Sequence, residues 1–233
     1  MSSAPTPEQL ASLWAFARGD TAPIEFEAWL LTQAGLEEPL GNALHWDLTS
    51  SRYDQREEVW RLRGALAEKL QQLSTCACPS IRNLDAIDMG GEPDADGHFR
   101  SDRVFASLEQ AVAFGPDKYW LSISRCGTCQ TVWLIAQEER VFDVFFVQRI
   151  GEAELAKARA GHWPERFLTY EDVLIVGNIL RRPCRFLDPM AGSLQWTVKD
   201  LLVERPTISV GEIGKLLGLT GEHARDLVRK ARA

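Results

Sequence analysis

Tyr119-Trp120-Leu121-Ser122-Ile123-Ser124-Arg125-Cys126-Gly127-Thr128-Cys129-Gln130-Thr131-Val132-Trp133-Leu134-Ile135-Ala136 is the stretch on which the reading of this chain turns. Tyr119 to Ser124 and Thr131 to Ala136 are rich in aromatic and β-branched residues, the types that suit a half-buried pleated surface. The short polar segment between them is a turn, and it carries a Cys-x-x-Cys pair. Val141-Phe142-Asp143-Val144-Phe145-Phe146-Val147 follows closely, so the three runs predict an antiparallel meander with cysteines in its first turn.

On either side of the meander the apolar spacing becomes helical. Upstream, Thr6-Pro7-Glu8-Gln9 places a cap, a first-turn proline and a capping-box glutamine ahead of Leu10, Leu13, Trp14 and Ala17. A second short helix is expected to bury Phe26, Trp29 and Leu30. A long third one is expected to bury Val59, Leu62, Leu66, Leu70 and Leu73 along one stripe. Downstream, helices are predicted at about 152–160 and 170–180, then a Pro- and Gly-containing linker from Arg181 to Ser193. Three short helices follow at about 196–203, 210–217 and 221–231, with Ser209 and Thr220 as caps and Gly218 as a stop. The fold class is therefore α+β, in three parts. These are an N-terminal helical region (1–75), an antiparallel sheet with a zinc-ribbon-like site and flanking helices (76–180), and a C-terminal three-helix, helix-turn-helix-like unit (194–233).

The cysteines supply the strongest chemical signal. Cys76-Ala77-Cys78-Pro79 and Cys126-Gly127-Thr128-Cys129 are two close pairs, and two such pairs can complete a tetrahedron of thiolates around one ion. Cys76, Cys78, Cys126 and Cys129 are thus the expected ligands of a structural zinc ion. Four thiolates leave no open position for substrate or water, so this zinc would organise the fold and not catalyse. Two other readings stand beside it. A Cys-x-x-Cys can be a redox centre, though redox pairs favour a helix N-terminus and this pair leads into a strand. The cysteines can also be unlinked, buried thiols. Cys184 lies in the linker and reads as an ordinary residue before a fifth ligand, and His98 could replace one cysteine but reads first as a loop histidine.

Composition bounds the rest. The 233 residues are 45% hydrophobic and 9% aromatic, sufficient for a packed core. No basic, apolar leader opens the sequence and no long apolar run occurs, so the expected location is the cytoplasm, with no membrane partner. Five cysteines in a reducing compartment argue against a disulfide framework. The formal charge is −7, distributed unevenly. Residues 1–75 carry 6 Lys+Arg and 11 Asp+Glu, residues 76–195 carry 13 and 17, and residues 196–233 carry 7 and 5. An acidic body suits a basic protein partner better than nucleic acid.

Other motifs are weaker. Glu92, Asp94, Asp96 and Gly97 imitate a calcium loop, but Arg103 occupies the twelfth position where a glutamate is required. No serine elbow, phosphate loop or two-histidine helix is present. Glu138, Glu139 and Asp143 read as a solvated turn around Arg140, and no catalytic residue is assigned. The segment 208–231 has the length and apolar spacing of a helix-turn-helix, with Arg225, Arg229 and Lys230 as candidate nucleic-acid contacts. Glu222 and Asp226 stand in the part of the last helix that would meet the DNA, which weighs against that use.

Two sets of residues carry a resemblance. Phe26-Glu27-Ala28-Trp29-Leu30, Leu36-Glu37 and Leu40-Gly41 form one. Trp120-Leu121, Cys126-Gly127-Thr128-Cys129 and Trp133-Leu134-Ile135-Ala136-Gln137-Glu138-Glu139-Arg140 form the other. Together they resemble bacterial immunity proteins that accompany polymorphic toxins and bear a four-cysteine, zinc-ribbon-like segment. The resemblance covers about the first two thirds of the chain, and residues after about Arg181 depart from it. It implies an inhibitor that neutralises a toxin, expected to be basic, by direct binding and has no reaction of its own. The alternative is a DNA-binding regulator that uses the C-terminal helices.

Overall fold

The computed structural model describes residues 4–90, 97–186 and 188–233. Chain contacts divide it into two compact units, Met1–Arg82 and Asn83–Ala233. Each unit has its own hydrophobic core.

The first unit is helical: α1 (Pro7–Arg18), α2 (Pro23–Leu30), α3 (Glu37–Leu40), α4 (Asn42–Ser50) and α5 (Arg56–Leu73). The predicted capping box opens α1. Thr6 Oγ1 accepts from the Gln9 backbone N–H at 3.2 Å, and Gln9 Oε1 accepts from the Thr6 N–H at 2.9 Å, which satisfies two otherwise orphaned donors. Gly19 ends the helix at φ 80, a left-handed conformation that costs glycine little. The core of this unit is aromatic where α1 meets α2, with the rings of Phe16 and Phe26 stacked 3.8 Å apart. The α5 stripe buries Val59, Leu62, Leu66 and Leu70 as expected, but Leu73 is partly exposed in the last turn. Trp29 is half-buried where full burial was expected.

The second unit is built on one five-stranded antiparallel sheet. Its strands are β1 (Leu84–Asp88), β2 (Leu108–Ala113), β3 (Leu121–Cys126), β4 (Val132–Glu138) and β5 (Val144–Ile150), in the spatial order β1-β5-β4-β3-β2. The short helix α6 (Arg100–Phe105) precedes β2. The central three strands are the predicted meander, with bounds shifted by one to three residues from those expected. The two edge strands were not expected. Leu84-Asp85-Ala86-Ile87-Asp88 is short and carries two aspartates, and Leu108-Glu109-Gln110-Ala111-Val112-Ala113 favours helix by composition. Pairing with β5 and β3, with a register shift between Gln110 and Val112, holds them in the sheet.

The helices α7 (Glu152–Arg159), α8 (Tyr170–Ile179), α9 (Gly192–Glu204), α10 (Val210–Leu217) and α11 (Gly221–Arg232) follow the sheet. Leu194, Val198 and Leu201 from α9, and Ile213, Leu217, Leu227 and Val228 from α10 and α11, join the same core as Leu134, Phe146 and Leu174. The last three helices are therefore packed with the sheet in one unit. Gly177 of α8 lies so close to the Phe142 ring that a Cβ built on it would stand 2.1 Å from Cε2, which leaves room for no side chain.

Candidate metal centre

Cys78 opens a single 3-10 turn, Cys78–Ser80, whose second residue is Pro79. The turn is closed by the Ser80 N–H, which donates to the Ala77 carbonyl at 2.9 Å, and by the Ser80 hydroxyl, which donates to the same oxygen at 2.7 Å. Arg18, at the end of α1, donates to the Pro79 carbonyl, and its Nε meets Asp20 Oδ2 at 2.7 Å. Arg82 reaches the other oxygen of Asp20 at 2.6 Å. Burial alone would raise the Asp20 carboxyl, but its hydrogen bonds from Arg18 and Arg82 outweigh that and hold it below the usual carboxylate range. The backbone after Cys76 and Cys78 is thus pinned within its own unit.

The other pair closes the β3–β4 hairpin. Cys126 ends β3 with no exposed surface, and Cys129 lies exposed in the turn. The Cys126 N–H donates to the Thr131 carbonyl at 2.9 Å, and the Gln130 N–H to the Cys126 carbonyl at 3.0 Å. The left-handed residue of this turn is Gln130, at φ 61, and not Gly127. The Gly127 N–H meets the Ser107 carbonyl at 2.9 Å, and a Cβ there would lie 3.3 Å from Glu109 Oε1, the end of an exposed side chain.

The Sγ atoms of Cys76, Cys78, Cys126 and Cys129 all lie within 4.8 Å of one another. Sulfurs arranged tetrahedrally at about 2.3 Å from a zinc ion stand about 3.8 Å apart, so the four positions are close enough to hold a metal ion. None of the cysteines is in a disulfide. Two hydroxyls supplement the sulfurs: Ser107 Oγ lies 3.5 Å from Cys126 Sγ, and Thr131 Oγ1 lies 3.2 Å from Cys129 Sγ. Burial pushes the Cys126 thiol up, yet the Cys129 N–H, the Ser107 hydroxyl, the Thr128 N–H and the Cys129 side chain together bring it down to about 6. A thiol that deprotonates near neutrality suits a ligand, because the thiolate is the form that binds metal.

Ser107 could not be found from the sequence. It reaches Cys126 only because Leu108 is the register partner of Cys126 in the β2–β3 pair. Cys184 is half-buried and His98 exposed, and neither belongs to the sulfur cluster. Glu92, Asp94 and Asp96 lie outside the described residues.

The hairpin end holds a second polar cluster, and here the expectation of a solvated turn fails at Glu138, while Glu139 is exposed and Asp143 half-buried. Glu138 has no exposed surface. Its Oε1 accepts from the N–H groups of Arg140 and Val141, both at 2.9 Å, and its Oε2 from the Phe142 N–H at 2.5 Å. Arg140 donates to Asp200 and to the Tyr119 hydroxyl while its guanidinium lies over the Tyr170 ring, 4.8 Å from the centroid. The backbone donors to Glu138 come from its own turn, which makes the carboxylate a structural nest, while Tyr119 and Asp200 meet Arg140 at the surface.

Arg225, Arg229 and Lys230 are exposed on α11. No helix among the described residues is long and apolar enough to cross a membrane. No protein-family model matches the chain, and neither the curated proteins nor the solved structures contain a significant match.

Proposed function

We propose that this protein acts by binding another protein, as an immunity-type inhibitor of a basic toxin, with zinc held by Cys76, Cys78, Cys126 and Cys129 for stability and no reaction of its own. The observation that carries the partner is the pair Trp46 and Trp60, which are 71% and 79% exposed. A tryptophan so exposed leaves its large apolar surface in water, and tryptophan is the side chain most enriched at binding hot spots.

The two tryptophans stand on neighbouring helices. Trp46 of α4 precedes Asp47, Trp60 of α5 precedes Arg61, and Arg61 Nη1 joins Asp47 Oδ2 at 2.7 Å. Arg56, Arg61 and Arg63 share the helix with Glu57 and Glu58, but the region as a whole is acidic, since residues 1–75 carry 11 Asp+Glu against 6 Lys+Arg. Aromatic anchors within an acidic field favour a basic partner and accelerate its association at low salt. A closed tetrathiolate zinc would add rigidity, because it offers no coordination position to a substrate.

The test uses the full chain, tagged, in its native cell. The wild type and a Trp46→Ala/Trp60→Ala double variant are purified side by side and their co-purifying proteins identified by mass spectrometry. A basic protein should be retained by the wild type and lost by the variant, and its expression alone should be toxic unless the wild type is present. An unchanged set of co-purifying proteins, or a partner without toxicity, overturns the reading.

A further inference from the structure

We propose that α10 and α11 form a helix-turn-helix that binds double-stranded DNA, with α11 in the major groove. This goes beyond the protein-binding surface of the first unit and rests on different residues.

The connection is tight and specified at both ends. Ser209 Oγ accepts from the Glu212 N–H at 3.2 Å while Glu212 Oε2 accepts from the Ser209 N–H at 2.9 Å, starting α10. Gly218, at φ 65, stops α10, and the Leu219 N–H donates to the Gly214 carbonyl at 2.8 Å. Thr220 Oγ1 then accepts from the His223 N–H at 3.3 Å and starts α11. Three residues, Gly218, Leu219 and Thr220, separate the helices. A Cβ on Gly214 would lie 3.3 Å from both the Ala224 Cβ and the Leu219 carbonyl oxygen, so the helices cross in close contact there. Helix–short turn–helix with a glycine in the turn is the framework that presents a second helix to the major groove.

The face that α11 presents carries the matching charge. Ala224, Leu227 and Val228 are buried against the unit, with α9 packed on the same helix. Glu222, Arg225, Arg229, Lys230 and Arg232 are exposed, at helical spacing around the opposite side. Although the chain is acidic as a whole, residues 196–233 carry 7 Lys+Arg and 5 Asp+Glu. The acidic residues on this helix are compatible with the use. Asp226 Oδ1 is already paired with Arg229 Nη2 at 2.8 Å, and a carboxylate at Glu222 can accept from the cytosine amino group in the major groove. Arg225, one turn into the helix and with its Nε donating to the Gly221 carbonyl at 3.0 Å, would offer its Nη groups to a guanine edge, and Arg229, Lys230 and Arg232 would meet phosphates.

The test selects duplexes from a random-sequence DNA library with the full-length protein at low salt, then measures binding of the enriched duplex by fluorescence anisotropy across a salt series. The expected result is a common enriched sequence whose affinity falls steeply with salt. Arg225→Ala should weaken it at least about ten-fold and relax the preference at one base pair. Arg229→Ala with Lys230→Ala should lower the slope of log K against log salt by about two, since each phosphate contact contributes about 0.9. Circular dichroism of each variant should match the wild type, because these side chains are exposed. Failure to enrich any duplex, or binding unchanged by both sets of substitutions, overturns the proposal. So does a face on which Arg225 and Arg229 substitutions abolish capture of a protein and leave DNA binding untouched.

Discussion

The hydroxyl of Tyr170 donates to Oε1 of Glu138 across 2.5 Å, joining the first residue of α8 to the last residue of β4 in the interior of the second unit. Burial, then the neighbouring Glu138 charge and the hydrogen bond to it, push the Tyr170 phenol far above its ordinary range, so the proton stays on tyrosine. With three backbone N–H groups also aimed at it, the Glu138 side chain fixes the β4–β5 connection from inside.

Removing one donor from that nest should cost what a hydrogen bond to a charged group contributes. Tyr170→Phe is expected to lower stability by about 1.5–3 kcal/mol in urea unfolding, with the slope of the transition unchanged. Glu138→Gln should cost more, since its amide turns a donor towards donors that are already there. A loss below about 0.5 kcal/mol for both variants would show that the nest contributes nothing net.

Metal content provides the direct check on the sulfur cluster. Protein purified without added metal should contain close to one zinc ion per chain, and cobalt substitution should give the visible absorption of a tetrahedral thiolate complex. Cys126→Ser should lose the ion and lower thermal stability. A strong chelator should do the same to the wild type. Metal and stability that survive Cys126→Ser would remove the four-cysteine site.

Packing between α8 and the β4–β5 connection admits no side chain at Gly177. Gly177→Ala would favour the helix by about 1 kcal/mol on propensity alone. The Cβ, however, must displace the buried Phe142 ring, and overpacking of this kind costs about 1–3 kcal/mol or more. The net expectation is a destabilised protein by thermal denaturation. Phe142→Leu in the same chain should relieve part of the loss. A Gly177→Ala protein as stable as the wild type would mean that the ring can move freely.

Acid should release the start of α10. The Glu212 carboxyl is held at about 2, against an ordinary 4.5, by hydrogen bonds from the Ser209 side chain, the Ser209 backbone and Arg205, in that order. Because its pKa is lowered by folding, its contribution is complete above about pH 4.5 and disappears as the pH falls through about 2. The stability gap between wild type and Glu212→Gln should therefore be flat at neutral pH, close on acidification, and shrink with added salt because the group lies at the surface. A gap that widens towards low pH would contradict the assignment.

The sequence by itself determined the elements whose signal is local. The capping box at Thr6 and Gln9, the Ser209 and Thr220 caps and the Gly218 stop depend on groups three or four residues apart, and each lies where it was read. The central meander was legible because aromatic and β-branched runs mark strands covered on both faces, and the cysteine spacing marked two pairs that the fold brings close enough to hold a metal ion. Only the tertiary structure decided what depends on pairing at a distance. Leu84–Asp88 and Leu108–Ala113 have little strand character of their own and become edges through their hydrogen bonds to β5 and β3. The same register brings Ser107 to Cys126. Glu138 reads as a solvated charge in sequence, since nothing local reveals that α8 will place a tyrosine hydroxyl over it. A buried carboxylate is tolerated only when donors surround it, and those donors are assembled by the fold.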